Sequence, residues 1–121
     1  RADDLVPILQ DARRDVPATL ARDMILRYVA QADQDPEPFA TAYACLGMQR
    51  NMRILGVFAR LSMAYGKPHY VDLIPRVWDH LMTALDHPAL ADVAPRITDA
   101  LPPPTDDLLA RLRDKCGSVA L

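Results

Sequence analysis

The sequence predicts an all-α fold. Helix punctuation recurs from end to end, no stretch sustains the apolar/polar alternation of a half-buried strand, and no Asn-Gly hairpin signal occurs. With 121 residues, 50% hydrophobic and 25% charged, the chain is long enough for one core and too short for two. One helical unit over 1–121, built of about five to six helices, is expected, and the lack of an internal repeat disfavours a solenoid.

Each element has its own signal. Asp3 or Asp4 can cap a first helix carrying Leu5, Ile8, Leu9 and Ala12 on one side, with Pro7 tolerated in the opening turn and Val16-Pro17 as the stop. Pro17 suits the first position of a second helix with Leu20, Met24, Ile25 and Tyr28 as its inner face, running out at Asp33-Gln34-Asp35-Pro36-Glu37-Pro38. The third and longest helix runs from about Phe39 to Tyr65, and Gly66-Lys67-Pro68 ends it. Ile74, Val77, Trp78, Leu81 and Leu85 form an amphipathic stripe that packs back on the third helix, with Pro75 kinking this fourth helix or marking its start. Pro88 begins a shorter helix through Ile97, Leu101-Pro102-Pro103-Pro104 is a stiff spacer, and Thr105, Asp106 and Asp107 cap a last helix bearing Leu108, Leu109 and Leu112.

Charge excludes some functions. A net charge of −2, with 14 basic and 16 acidic residues and no single-sign run, gives neither a nucleic-acid footprint nor a basic membrane patch. Of the basic residues 12 are Arg, a bias that fits planar pairing with carboxylate or phosphate. Cys45 and Cys116 lack CxxC spacing and a neighbouring His cluster, which argues against a disulfide framework or a zinc site. No segment approaches 18 uninterrupted apolar residues and no signal peptide opens the chain, so a cytoplasmic location is the default expectation. The chain opens on Arg1 inside a helix signal, consistent with a piece of a longer protein.

The catalytic inventory is thin. His69, His80 and His87 form no triad with Ser, Cys and Asp and read as surface or capping histidines. Gly47, Gly56, Gly66 and Gly117 never cluster into a phosphate-cradling loop, and Asp33-Gln34-Asp35 lacks a third ligand, so no metal site is expected. Two constellations remain. Gln10, Arg13 and Arg14, with Asp11 at the border, share an exposed arc of the first helix that could hold a hydroxylated or anionic ligand. In the third helix Gln49, Arg50 and Asn51 interrupt an apolar run; a helical wheel places Arg50 among Tyr43, Ile54, Val57 and Leu61, and Asn51 between Phe58 and Ser62. Both heads are expected in packed surroundings, as a buried polar network or as ligand contacts.

The opening Asp4-Leu5-Val6-Pro7-Ile8-Leu9-Gln10-Asp11-Ala12-Arg13-Arg14-Asp15-Val16, the block from Leu46-Gly47-Met48-Gln49-Arg50-Asn51 to Arg60, and Gly66-Lys67-Pro68-His69-Tyr70 resemble the aminoglycoside phosphotransferase family of small-molecule kinases. Within it the likeness is to the branch acting on cell-wall amino sugars such as N-acetylmuramate, and it spans about Asp4 to Leu85. The resemblance implies the helical, substrate-binding carboxy-terminal subdomain of a protein-kinase-like fold, whose parent transfers phosphate from ATP to a hydroxyl of a sugar, amino sugar or aminoglycoside-like substrate. ATP and Mg²⁺ would be held mainly by an amino-terminal kinase lobe and catalytic loop upstream of this chain, leaving the chain inactive alone. It also implies that Gln10 and Arg14 face the sugar, with Asp11 and Arg13 beside them, and that Asp4 supports the catalytic-loop backbone. Asp3 stands where that family often has an aromatic residue, and Gln10 and Arg14 differ from the Arg and Glu of aminoglycoside-modifying members.

A rival reading is a stand-alone all-α interaction module that docks a partner through Trp78, Tyr70 and Pro102 to Pro104. A ligand-sensing domain of a transcription regulator is a weaker third, since no DNA-reading helix is visible.

Overall fold

A computed structural model describes residues 2–32 and 35–120, and of Asp3 the backbone alone. Asp33 and Gln34 of the acidic turn, and the Asp3 side chain as a cap, lie outside the described residues. Six α-helices and no strands occur among the described residues: α1 (Ala2–Leu9), α2 (Ala18–Gln31), α3 (Pro36–Met63), α4 (Ile74–Leu85), α5 (Ala94–Ala100) and α6 (Asp106–Asp114). Two 3₁₀ segments, Pro68–Leu73 and Pro88–Leu90, flank α4.

The spine is α3, whose 28 residues span about 42 Å at 1.5 Å rise per residue. Asp35 caps it by accepting the Glu37 N–H, and Pro36 occupies the first turn, where a missing donor costs nothing. Gly66 at φ +68° closes the other end in an αL arrangement, with Gly66 N donating to Ser62 O and, beyond it, Lys67 N to Leu61 O. Three apolar clusters are strung along this helix. Ala2, Val29 and Phe39 join α1, α2 and the start of α3; Ala44, Leu81, Leu85, Leu90 and Ile97 join its middle to α4 and α5; Val71, Ile74 and Leu109 gather Leu55, Phe58 and Leu112 where α6 closes its far half.

The fourth-helix stripe is the best-buried face in the molecule: Ile74, Val77, Leu81 and Leu85 are buried, and Trp78 is half-buried against the same cluster. Pro75 lies in the first turn of α4, so it marks a helix start and makes no kink. Thr105 caps α6 by accepting the Leu108 N–H at 3.2 Å, as its spacing predicts. The segment after α6 then returns to the spine, where Gly117 N donates to Ser62 O at 2.9 Å and Val119 N to Met63 O at 3.0 Å. Gly117 sits at φ +69°, and a Cβ there would meet only ordinary contact, Gly66 Cα at 3.7 Å. Gly117→Ala is therefore expected to cost about 1–2 kcal/mol through backbone strain alone. A matched Ser118→Ala control, on an exposed side chain, should shift the urea midpoint much less.

Three expectations are corrected. The first helix stops at Leu9 and does not run to Val16; residues 10–17 form a turn and an extended stretch. The predicted inner face of α2 is half wrong, since Leu20 and Met24 are 49% and 40% exposed while Ile25 and Tyr28 are half-buried and Val29 is buried. Only the carboxy-terminal half of α2 meets α3, and its other half stands away from the body. The single helix expected from Pro88 to Ile97 is two pieces, a 3₁₀ turn and α5, with Pro95 in the first turn of α5.

Candidate functional site

The stand-off of α2 opens a cleft of about 850 Å³, within the range of small-molecule sites. One wall comes from Asp15, Val16 and the α2 residues Ala18, Ala21, Arg22, Ile25 and Leu26. The other comes from Asp72, Leu73 and the α4 residues Pro75, Arg76, Asp79, His80 and Thr83, with Leu9, Gln10 and Tyr43 between them. The polar members of the second wall follow from helical spacing. Arg76, Asp79, His80 and Thr83 recur at three, four and seven residues, opposite the buried Val77, Leu81 and Leu85.

Gln10 is the structural hinge of the cleft. It is 7% exposed, contrary to the exposed arc expected for it, because the helix ends one residue earlier and turns its side chain onto α3. There Gln10 Oε1 accepts from Asn51 Nδ2 at 2.7 Å, and the same amide donates to Gly47 O at 2.8 Å. A Cβ at Gly47 would lie 3.1 Å from Gln10 Oε1, so the absence of one makes this close approach possible. Gln10 also acts on the Tyr43 phenol: burial raises the Tyr43 pKa, and the polar Gln10 amide opposes the rise. Tyr43 is thus protonated near neutral pH and can donate as well as accept.

His80 has a role beyond the surface or capping part expected of it. It is half-buried in the cleft, and burial, reinforced by Arg76 and opposed by Asp79, holds it below the ordinary imidazole range. It is neutral at pH 7, with one N–H donor and one acceptor nitrogen. Arg76 Nη1 donates to Ala12 O at 3.0 Å, tying α4 to the turn after α1. His87 does cap, accepting the Ala89 N–H through Nδ1 at 3.1 Å, and His69 is exposed against the Tyr70 ring.

The other expected site residues lie elsewhere. Asp11 accepts the Arg13 backbone N–H at 2.9 Å and pairs with the Arg13 side chain at 3.3 Å; the backbone bond first, then the side-chain bond, hold its carboxyl below the usual range. The pair ties down the turn, and Arg14 is exposed; neither Asp11, Arg13 nor Arg14 lines the cleft. Of the Gln49-Arg50-Asn51 set, only Asn51 is buried, at 0% exposure. Gln49 and Arg50 are exposed beside a second hollow of about 530 Å³ formed with Val6, Pro7, Leu46, Arg53, Ile54 and Val57. The helical wheel placed Arg50 beside Ile54 and Val57 correctly, but α1 is too short to cover that face, and Val57 is itself 44% exposed. Asp4 is exposed and has an interaction partner.

Sequence reading missed Arg76, Asp79, His80 and Thr83, although their shared stripe was a signal available in the residue spacing. Among the described residues no three His, Cys, Asp or Glu side chains converge as a metal site, and no helix is long and apolar enough to cross a membrane.

In sequence, this chain is similar to part of a class of amino-sugar kinases. The similarity is to proteins called N-acetylmuramate/N-acetylglucosamine kinase. That of Caulobacter vibrioides is 42% identical over 91 residues, covering 74% of this chain and 25% of the relative. That of Neisseria meningitidis serogroup B is 34% identical over 85 residues, 64% of this chain and 25% of the relative. That of Pseudomonas aeruginosa is 38% identical over 58 residues, 47% of this chain and 17% of the relative. The chain thus spans a quarter or less of the length of these curated relatives. No family model matches the chain.

Proposed function

We propose that this chain is the substrate-binding helical part of an ATP-dependent phosphotransferase of the aminoglycoside phosphotransferase type, acting on a hydroxyl of an amino sugar or related sugar. The observation that carries the reading is the cleft of about 850 Å³, in which Gln10, Tyr43, Arg76, Asp79 and His80 present mixed donors and acceptors. Such a wall suits a polyhydroxylated ligand, whose hydroxyls each need a directional partner. The similarity to kinases named for two N-acetylated amino sugars supports the same substrate class.

As the resemblance implies, ATP and Mg²⁺ would be held mainly by the amino-terminal lobe of the whole protein, and this chain contributes positioning. Of the site residues first considered, Gln10 is retained as a sugar contact. Asp11, Arg13 and Arg14 would shape the turn that carries it. Trp78 packs against the Leu81 cluster and Tyr70 against Phe58, so both are half-buried and offer less surface for a stand-alone docking module.

The test compares two polypeptides. A protein carrying this chain and the remaining length of its relatives is expected to release ADP from ATP in response to N-acetylglucosamine or N-acetylmuramate, whereas this chain alone gives none. Absence of sugar-stimulated ADP release from the longer protein, or ATP-independent turnover by the chain alone, would overturn the assignment.

A further inference from the structure

Two arginines line the cleft, and they differ in their surroundings. Arg22 on α2 is exposed, whereas Arg76 on α4 is half-buried and oriented by its hydrogen bond to Ala12 O. Among the described residues Arg76 makes no ion pair. The neighbouring Asp72 is committed to Arg113 at 2.6 Å, and Asp79 lies outside ion-pairing distance. The remaining N–H groups of the Arg76 fork are thus available on a cleft wall where water screens charge less than at the open surface. His80, one helical turn on, is neutral and adds no competing positive charge, its pKa lowered in part by Arg76 itself.

The two sugars in the relatives' name differ in one chemical respect. N-acetylmuramate is N-acetylglucosamine bearing a lactyl ether, whose carboxylate is ionised at neutral pH. We infer that Arg76 is the specificity-determining residue of the cleft, reading the carboxylate of an acidic amino sugar while Gln10, Tyr43 and His80 contact the features shared with the neutral one. The inference rests on the reading of the cleft as the sugar site. The resemblance implied that Arg14 faces the sugar, but Arg14 is exposed and does not line the cleft, whereas Arg76 does. A guanidinium held by one carbonyl and open at its other edge is preorganised for a bidentate carboxylate contact, so little side-chain entropy is lost on binding.

The experiment uses the full-length protein that contains this chain and measures kcat/KM for N-acetylmuramate and N-acetylglucosamine in the wild type, Arg76→Gln and Arg76→Lys. The ratio of the two values is expected to fall about 10- to 100-fold in Arg76→Gln, the loss of one charge-assisted pair. Arg76→Lys, which keeps the charge and loses the fork, should recover part of the ratio. A loss shared equally by both sugars would overturn the inference and leave Arg76 as the tether of Ala12. A probe that needs no variant is the methyl ester of N-acetylmuramate. The wild type should prefer the free acid to the ester by a similar factor, and indifference between them also overturns the inference. Those failures leave the proposed kinase function standing, whereas a wild-type protein that phosphorylates neither sugar removes both.

Discussion

Leu81→Ala is expected to cost this fold about 2–5 kcal/mol, the range for emptying a fully enclosed leucine site. Leu81 is 0% exposed and lies between Ala44 on α3, Leu85 on its own helix, and Leu90 and Ile97 beyond it. Those neighbours come from four separate elements, so no single side chain can swing in to fill the space without moving a helix. Because whole-domain stability is only about 5–15 kcal/mol, the substitution removes a large fraction of it. The measurement is urea unfolding followed by far-UV circular dichroism, with the midpoint falling and the slope unchanged. Ile8→Ala is the control: Ile8 is 64% exposed, and its replacement is expected to change stability by about 0.5 kcal/mol or less. A Leu81 effect as small as the Ile8 effect would mean that α4 does not pack on α3 as described.

The second large effect is expected at the junction of α1 and α3. Asn51→Ala removes the donor that Gln10 Oε1 uses inside the body and leaves a buried acceptor unpaired, at a cost of about 1–3 kcal/mol. A double-mutant cycle with Gln10→Ala should give a coupling of about 0.5–3 kcal/mol, since the two amides touch directly. Gly47→Ala tests the same contact from the other side. Its Cβ would lie 3.1 Å from Gln10 Oε1 and 3.3 Å from Nε2, so the amide must shift away from Asn51. Additive single and double variants would show that Gln10 does not depend on Asn51 for its position in the cleft.

These two sites differ in how legible they were. The Leu81 stripe is visible in the spacing of Ile74, Val77, Trp78, Leu81 and Leu85, because a helix with one wide apolar face has one low-energy way to be buried. The cap at Thr105 and the closure at Gly66 were equally readable, since they depend on residues within a few positions of each other, whereas the cap at Asp35 was missed and the third helix was started at Phe39 instead of Pro36. Gln10 was not. Where α1 ends decides whether its side chain faces solvent or α3, and the stretch from Gln10 to Val16 contains no glycine and no proline to mark the stop. Arg50 failed for a different reason: the wheel gave its angular position, but whether that face is covered depends on the eight-residue length of α1.

Residue spacing by itself determined the all-helical class, the long central helix, the amphipathic fourth helix and most of the chain's turns, because those features follow from periodicity and from the local stereochemistry of glycine, proline and capping side chains. Only the tertiary structure decided which polar residues share a space. The stand-off of α2 from α4 brings Gln10, Tyr43, Arg76 and His80, separated by up to 70 positions, onto one cleft while leaving Arg14 in solvent and Arg50 on another face. Helix angles and lengths set those distances through packing between distant segments, and no local pattern in the chain encodes them.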